Sequence, residues 1–284
     1  MSIFPFICGV RKMVTVDFHI HVGKYEMYPP WVHEYQRKMN PKIYSDYDRY
    51  VSSSGILSLL DEAGIEYGVI LAEYNPMVTG IVPNEYVAEV CSKSERLIPF
   101  ASVNPWLMTN PLRKFEEAVE RLKMRGLKIY PSYQHIYPND KRLYPVYKKA
   151  EEFDVPVMFH TGSSIFQGSK IKYSNPIYLD DLAVDFPDLK IIMAHGGRGL
   201  WYEEAFFLAR IHKNVYLEVS GLPPKNLLKY FPEMEKIPDK IIFGSDFPGA
   251  VIKECVEGIK RLHIPESLKK KILGENAAKI LNLK

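Results

Sequence analysis

Short apolar runs alternate along this chain with longer amphipathic stretches. The runs have the length and composition of β-strands, and they end near His21, Glu73, Asn104, Tyr130, His160, His195, Ser220 and Asp246. Each stretch between them is long enough for a helix and its loops, and apolar residues recur at helical spacing in residues 110–124, 143–153, 179–186 and 201–212. Because parallel strands need such crossovers, eight strand-then-helix units predict an α/β fold, a closed (β/α)8 TIM barrel.

The first run, residues 14–21, alternates apolar and polar residues with a period of two. We predict that one face of this strand carries Val14, Val16, Phe18 and Ile20. The other face would then carry Asp17, His19 and His21. Two imidazoles placed two residues apart on one strand face can converge on a single cation. A His-x-His pair by itself is more often structural, so a metal site needs further ligands.

Further candidate ligands lie at the ends of three later strands. His160 ends one run, His195 ends the next and stands before two glycines, and Asp246 ends the last. Asp246 taken alone would also suit a helix N-cap. In a TIM barrel, however, active sites lie at the C-terminal ends of the strands. Four strand ends that carry metal-ligand side chains therefore predict one metal site at that end of the barrel.

Six motifs along the chain resemble a known family. They are Asp17-Phe-His-Ile-His21, Gly126-Leu-Lys-Ile-Tyr-Pro131, Phe159-His-Thr-Gly162, Ala194-His-Gly-Gly197, Gly244-Ser-Asp-Phe-Pro248 and the tail Ile272-Leu-Gly-Glu-Asn-Ala-Ala-Lys-Ile-Leu281. In this order and spacing they resemble the amidohydrolase superfamily, and within it the amidohydrolase-related branch that contains aminocarboxymuconate-semialdehyde decarboxylase. The resemblance runs from about Met13 to the C-terminus.

The resemblance implies one divalent metal, zinc in the first place with manganese as the alternative. Its implied ligands are His19, His21, His160 and Asp246. His195 is implied as a catalytic or substrate-polarising base, and a fifth ligand is its alternative role. Asp246 would also accept the proton of an attacking water. We expect Asp17 to support the ligands rather than to bind the metal.

Five residues are candidates for substrate binding. In this superfamily a lysine at the position of Lys128 is sometimes carbamylated to bridge two metals, but the branch usually binds one metal. We therefore expect an unmodified Lys128 that pairs inside the barrel or meets an anionic substrate. Arg198 would clamp a substrate carboxylate or form a surface ion pair. Pocket walls are expected from Trp31, Asn104 and Trp106, and from an aromatic loop at residues 25–37 that either contacts substrate or packs over the barrel.

Composition limits the classes of partner. The 284 residues are 46% hydrophobic with a formal net charge of +3, which suits one domain at residues 13–284. Residues 1–12 would be an N-terminal extension or an over-long gene start. Neither a basic stripe for nucleic acid nor an apolar run of membrane-spanning length occurs. Three scattered cysteines indicate reduced thiols and a cytoplasmic location. The resemblance implies a homo-oligomer.

These expectations lead to a metal-dependent hydrolase as the first hypothesis. A metal-activated water would attack an amide, ester or lactone of a small carboxylated compound. The alternative is a non-oxidative decarboxylase, a carboxy-lyase acting on an aromatic or muconate-like acid, and a hydratase is a third chemistry open to the same residues. A metal-stabilised barrel that binds a small molecule without turning it over is the non-catalytic alternative.

Overall fold

The computed structural model describes residues 14–283, so the predicted extension at residues 1–12 lies outside the described residues. Ten strands occur in this part of the chain: β1 (Val16–His21), β2 (Tyr67–Leu71), β3 (Glu73–Asn75), β4 (Gly80–Val82), β5 (Leu97–Ser102), β6 (Leu127–Ile129), β7 (Val157–His160), β8 (Ile191–Ala194), β9 (Val215–Glu218) and β10 (Ile241–Ile242). Eight of them form a parallel sheet in the order β1-β2-β5-β6-β7-β8-β9-β10, and β3 and β4 form a separate antiparallel hairpin. The eight predicted strand units are confirmed.

Backbone hydrogen bonds close the sheet into a barrel. The amide of Phe18 donates to the carbonyl of Phe243 (3.0 Å), and the amide of Asp246 donates to the carbonyl of His19 (3.0 Å). One step further, the amide of His21 donates to the carbonyl of Phe247 (2.8 Å). The chain that directly continues β10 therefore pairs with the first strand, as the predicted (β/α)8 TIM barrel requires.

Helices follow the strands and surround the barrel. They are α1 (Pro30–Met39), α2 (Pro41–Tyr44), α3 (Tyr47–Tyr50), α4 (Ser53–Ala63), α5 (Asn84–Cys91), α6 (Pro111–Glu120), α7 (Pro131–Gln134), α8 (Tyr144–Glu152), α9 (Tyr178–Asp185), α10 (Tyr202–Ile211), α11 (Leu227–Tyr230), α12 (Ile252–Lys260), α13 (Glu266–Lys270) and α14 (Asn276–Ile280). The helices predicted from spacing correspond to α6, α8, α9 and α10. None of the helices described here is long and apolar enough to cross a bilayer.

Local sequence explains where these helices begin and end. Before α4, the hydroxyl of Ser52 accepts a hydrogen bond from the amide of Gly55 (3.1 Å), which satisfies one of the free amides of the first turn. After α4, Gly64 adopts a left-handed backbone (φ +71°) that reverses the chain toward β2. Asn110 caps α6 in the same way through the amide of Arg113 (2.9 Å).

The barrel strands separate two apolar regions. One lies between the sheet and the surrounding helices and includes Ile20 and Ile70. The other fills the barrel interior at its N-terminal end, where α14 forms a floor, and comprises Val16, Phe18, Val69, Leu71, Ile98, Phe100, Met158, Ile192, Ala194, Ile242, Ala277, Ile280 and Leu281. Side chains from alternate strand positions fill this interior, as in other barrels of this type.

The predicted alternation along β1 is wrong at one point. The pairing of β1 with β2 shifts register between Asp17 and Ile20, so Phe18 packs inside the barrel whereas Ile20 packs outside it. The Asp17 Oδ1 atom accepts hydrogen bonds from the amides of His19 (3.1 Å) and Ser245 (2.9 Å). This buried carboxylate holds the irregular backbone and ties β1 to the chain after β10, so Asp17 does not share a strand face with His19.

Candidate metal centre and active site

Three of the predicted ligands converge at the C-terminal mouth of the barrel. The Nε2 atoms of His19 and His21 lie 3.1 Å apart. Asp246 Oδ1 is 3.5 Å from the first of these nitrogens and 3.4 Å from the second. A tetrahedral metal with bonds of about 2.0–2.1 Å separates its ligand atoms by about 3.3 Å. The three atoms are therefore spaced as ligands around one small cation.

Two carboxylates favour positive charge at His21, whereas burial and the Lys128 charge hold the pKa of His19 well below the usual range. Glu73 Oε1 lies 2.8 Å from His21 Nδ1, and its Oε2 accepts hydrogen bonds from Thr79 Oγ1 (2.7 Å) and Asn75 Nδ2 (3.2 Å). Burial opposes a charge on His21, but the carboxylates of Glu73 and Asp246 outweigh burial and raise its pKa to about 9. A site that attracts a proton in this way also attracts a metal ion.

His160 lines the same cavity but lies outside the tight group. Its ligand atoms are not all within 4.8 Å of those of His19, His21 and Asp246. Its ring lies 4.7 Å from that of His195, centroid to centroid. Its Nε2 atom is buried and has no hydrogen-bond partner among the described residues, and burial and the Arg198 charge hold its pKa well below the usual range. A neutral, unpartnered imidazole nitrogen is suited to bind a metal.

The hydroxyl of Ser220 lies between His19, a candidate ligand, and His195, the predicted base. Ser220 Oγ donates to Glu218 Oε2 (2.9 Å), and it lies 2.9 Å from His19 Nδ1 and 3.0 Å from His195 Nδ1. A hydroxyl has one proton and two lone pairs, so both imidazoles donate to it from Nδ1. The carbonyl of Ser220, which can only accept, also lies 3.1 Å from His195 Nδ1. Both histidines therefore keep an unprotonated Nε2.

His195 has further features of a functional residue. Burial and the Arg198 charge hold its pKa well below the usual range, which leaves a neutral imidazole. Its backbone is left-handed (φ +64°), as is that of Asp246 (φ +66°). Such conformations are rare for residues other than glycine and cost on the order of 1 kcal/mol each. The two residues predicted to be catalytic are thus both held in unfavourable backbone conformations.

Glu218 was not among the predicted site residues. Its side chain is fully buried at the end of β9, where Oε1 accepts from the amide of Ser220 (2.7 Å) and Oε2 from the amide of His195 (3.3 Å). Burial raises its pKa, and Lys128 and the Ser220 hydrogen bonds oppose that rise. An acidic residue inside an apolar run could have pointed to Glu218. The sequence analysis instead placed the strand end two residues later, at Ser220.

Lys128 lies inside the barrel. Its side chain is fully buried, its Nζ donates to the sulfur of Met158 (3.1 Å), and it lies 5.2 Å from the centre of the Tyr130 ring. Burial lowers its pKa, and the carboxylate of Glu218 is the largest influence that opposes this shift. Lys128 lines the same cavity as His19, His21 and Asp246.

Arg198 is part of the cavity wall rather than a surface residue. Its Nη2 and Nε donate to the carbonyl of Ser163 (3.0 and 3.3 Å), and its Nη1 lies 3.8 Å from Asp246 Oδ2. The cavity has a volume of about 260 Å³. Besides the candidate ligands, His195, Lys128 and Arg198, its walls are mainly the aromatic rings of Tyr28, Tyr35, Tyr130, Tyr133 and Phe166.

The aromatic segment at residues 25–37 reaches this cavity, but it is not a loop. Residues 30–39 form α1, which begins with a proline at its first helical position. The segment contributes Tyr28, Val32, Tyr35 and Gln36 to the wall, so the part of the predicted pocket wall that lines the cavity is largely a helix rather than a loop. Contact of this segment with a substrate stays a prediction.

Three predicted pocket-wall residues do not line the cavity. Trp31 turns its indole Nε1 to the carbonyl of Val78 (2.8 Å). Asn104 donates from Nδ2 to the carbonyl of Tyr74 (2.8 Å). Trp106 is 57% exposed and stacks against the Arg142 guanidinium at 3.9 Å. The first two side chains hold loops in place, and the third lies on the surface, so none of them is positioned to contact a substrate in this cavity.

Two curated proteins of known activity are similar to this chain. The curated 2-keto-4-carboxy-3-hexenedioate hydratase of a Sphingobium species is 30% identical over 175 residues, 51% of this chain and 50% of that protein. The chain therefore matches only half the length of that relative. The gamma-resorcylate decarboxylase of a Polaromonas species is 24% identical over 285 residues, 79% of this chain and 86% of that protein.

Solved structures share the fold. A dihydroxybenzoic acid decarboxylase from Polaromonas, solved with bound manganese and the inhibitor 2-nitroresorcinol, superposes with a TM-score of 0.74 at 19% identity, over 96% of this chain and 98% of that one. A family model described as Amidohydrolase matches residues 16–283, nearly the whole described chain. Because this match covers nearly the whole described chain, the chain is an enzyme that belongs to the amidohydrolase family.

Proposed function

We propose that this protein is a metal-dependent carboxy-lyase that removes the carboxylate of a small aromatic or unsaturated acid without oxidation. The observation that carries the proposal is the composition of the cavity. Three converging ligand atoms and the Arg198 guanidinium stand at one end, and aromatic rings form the walls. A cavity of about 150 Å³ holds benzene, so the volume of about 260 Å³ suits one substituted ring.

The relatives support this alternative over the hydrolase that the sequence analysis put first. The relative that matches most of the chain is a decarboxylase, and the other is a hydratase. Neither name describes hydrolysis of an ester, lactone or amide. Because both names refer to carboxylated substrates, we retain the expectation that the substrate is a small carboxylic acid.

The residues at the cavity floor fit one divalent metal. Held by His19, His21 and Asp246 with His160 beside them, the metal would neutralise the negative charge of a bound carboxylate and of an adjacent oxygen. Zinc is the expectation from the sequence, while the manganese of the structural neighbour supports the other candidate. Nitrogen and carboxylate ligands suit both ions.

The chain's own residues would bind the acid and move one proton. Arg198 would pair with the substrate carboxylate, and the aromatic walls would stack on the ring and exclude water. His195, neutral and unprotonated at Nε2, would accept the proton of a substrate hydroxyl and return it to the ring carbon that bears the carboxylate. The bond from that carbon to the carboxylate then breaks, its electron pair returns to the ring, and carbon dioxide leaves. The overall reaction consumes one proton from water.

Carbon dioxide release tests the proposal directly. The purified protein, supplemented with Mn²⁺ or Zn²⁺, is assayed against single-ring hydroxybenzoic acids and muconate-like acids, and in parallel against esters, lactones and amides. We expect carbon dioxide with at least one acid and no product from the second panel. Hydrolysis without carbon dioxide release would restore the hydrolase hypothesis and overturn the carboxy-lyase.

Metal content gives a second, activity-independent test. We expect about one equivalent of metal per chain by elemental mass spectrometry, and its loss in His19→Ala and His160→Ala. Two equivalents would favour a carbamylated Lys128 bridge. Retention of metal by His160→Ala would remove that histidine from the ligand set.

The second candidate is a hydratase, because a relative that is 30% identical over half of this chain carries that name. Addition of water to an unsaturated acid would use the same carboxylate-binding end of the cavity. A product heavier than its substrate by one water, with no carbon dioxide released, would identify this activity by mass spectrometry.

A further inference from the structure

A second, apolar cavity adjoins the active-site cavity. We refer to it as the side pocket, and it has a volume of about 170 Å³. Its walls are formed largely by Val219, Leu222, Leu227, Phe243, Cys255 and Ile259. It lies between the chain that follows β9 and the chain that follows β10, next to the metal centre. Among residues 14–283, Asp246 is the one carboxylate in its lining, and no lysine or arginine lines it.

The side pocket and the active-site cavity share one wall. Both are lined by Tyr35, Gly221, Asp246 and Gly249. Two of these four residues are glycines, so few side-chain atoms separate the cavities. A Cβ atom at Gly249 would have only the carbonyl oxygen of Asp246, at 3.1 Å, and the ring of Tyr35, at 3.7 Å, as close neighbours. A substrate that occupies the active-site cavity next to Asp246 would therefore lie directly beside the side pocket.

The second glycine shows how closely this wall approaches the catalytic groups. Gly221 has a left-handed backbone (φ +63°), and a Cβ there would collide with Arg198 Nη1 and lie 3.0 Å from Asp246 Oδ2 and 3.3 Å from His195 Nδ1. Arg198 and Asp246 already fill the space beside Gly221, so the wall has no room for a side chain there. The less crowded part of the shared wall lies at Gly249 and Tyr35.

We infer that the side pocket binds an apolar substituent of the substrate whose carboxylate occupies the active-site cavity. The inference rests on the proposed function and deepens it, because it assigns the substrate class: a single-ring or unsaturated acid that carries a hydrocarbon group of about four to six carbons. The volume of about 170 Å³ is close to the space that benzene fills. Its apolar walls favour hydrocarbon over polar groups, because polar groups would lose their hydrogen bonds to water there.

Binding affinity tests the inference without turnover. The full-length protein loaded with Mn²⁺ is titrated calorimetrically with benzoate, 3-butylbenzoate and 4-butylbenzoate. Each buried methylene contributes about fourfold in affinity. We therefore expect at least one butyl isomer to bind ten to one hundred times more tightly than benzoate. Equal affinities for all three ligands would overturn the inference.

Cys255 provides the matched pair of variants, because it lines the side pocket and has no role at the metal centre. Cys255→Phe fills the pocket and should abolish the butyl advantage while leaving benzoate affinity within about twofold. Cys255→Ala enlarges the pocket and should preserve the advantage. If the phenylalanine variant does not fold, Cys255→Leu fills a smaller part and should reduce the advantage.

The outcomes separate the two proposals. A butyl advantage that survives in a folded Cys255→Phe or Cys255→Leu would mean that the substituent binds elsewhere, and the side-pocket assignment would be overturned while the carboxylate site stands. Failure of benzoate and both butyl compounds to bind would overturn the carboxylate site proposed for the carboxy-lyase and the side-pocket assignment with it.

Discussion

The two ends of the barrel interior are built from the same strands but differ in chemistry. At the N-terminal end, side chains such as Phe18, Phe100 and Ile192 form an apolar layer on the floor of α14. At the C-terminal end, equally buried positions carry Lys128 and Glu218 together with the metal-centre residues. The apolar layer stabilises the fold through packing, whereas the polar layer buries charge at a free-energy cost that hydrogen bonds and ion pairs only partly offset.

Residues that stabilise the fold and residues that line the cavity therefore occur at different positions along the same strands. On β5, Phe100 packs edge-to-face against Phe18 with ring centroids 5.5 Å apart. Its role is in packing, and it is not a candidate ligand. On β7, Met158 belongs to the apolar layer while His160, two residues later, lines the cavity. We therefore expect substitutions in the lower layer to reduce stability and substitutions in the upper layer to reduce activity or metal binding.

The largest expected effect is at Asp246, in the upper layer. Asp246→Asn keeps the side-chain shape but removes the charge that faces His19, His21 and Arg198, and we expect a loss in kcat of about 10⁴-fold, equivalent to about 5 kcal/mol. Carbon dioxide release measures it, with thermal unfolding as the test of folding. Asp239→Asn, at an exposed carboxylate paired with Lys271, is the control and should have wild-type activity. An active Asp246→Asn would exclude a catalytic role for this residue.

Phe100→Ala should have the next largest effect, and it should act on stability. The buried ring leaves a cavity beside Phe18, which lowers the free energy of unfolding by about 3–5 kcal/mol. Denaturant titration measures the loss, and metal content at low temperature should stay at the wild-type level. Phe207→Ala removes a ring that is 57% exposed and should change stability by less than about 0.5 kcal/mol. Similar losses in the two variants would contradict the layer assignment.

The buried side chain of Asp17 should make the free energy of unfolding depend on pH. Burial raises its pKa from 3.8 to about 7. The folded state therefore holds a proton that the unfolded state releases, and this contribution to stability is complete below about pH 4 and is lost as pH rises through 7. Its full size is on the order of 4 kcal/mol.

Metal-free wild type and Asp17→Asn are compared by denaturant titration from pH 4 to pH 8. Asparagine retains the oxygen that accepts from the amides of His19 and Ser245 but does not ionise. We expect the variant to gain stability relative to wild type as pH rises through this window. Parallel pH profiles would show that Asp17 does not titrate there.

The smallest expected effect is at Ser220, which connects His19 to His195. Ser220→Ala removes the hydroxyl that sets both imidazole tautomers, and we expect about a tenfold loss in kcat, equivalent to about 1.4 kcal/mol, with a shift in the pH profile of kcat. Ser220→Thr keeps the hydroxyl and should recover most of the activity. Ser92→Ala, at an exposed serine, controls for general effects. A lower kcat with an unchanged pH profile would indicate a structural role only.

Much of this architecture follows from the sequence. Period-two and helical spacing predicted the eight strand units and the helices α6, α8, α9 and α10, because burial of one face repeats with the period of the element. Placement at strand ends also predicted that His19, His21 and Asp246 would meet, since parallel strands present their C-terminal ends at the same side of a barrel.

Tertiary structure decided the features that depend on contacts between distant segments. The register shift in β1 arises where Asp17 bonds to Ser245, and no period within residues 14–21 records that contact. Trp31 and Trp106 turned away from the cavity because Val78 and Arg142 supply their partners. Glu218 became a functional candidate only when His19, His195 and Ser220 surrounded it. Periodicity reports which residues are buried, whereas side-chain partners are set by the packing of segments that the sequence separates by tens to hundreds of residues.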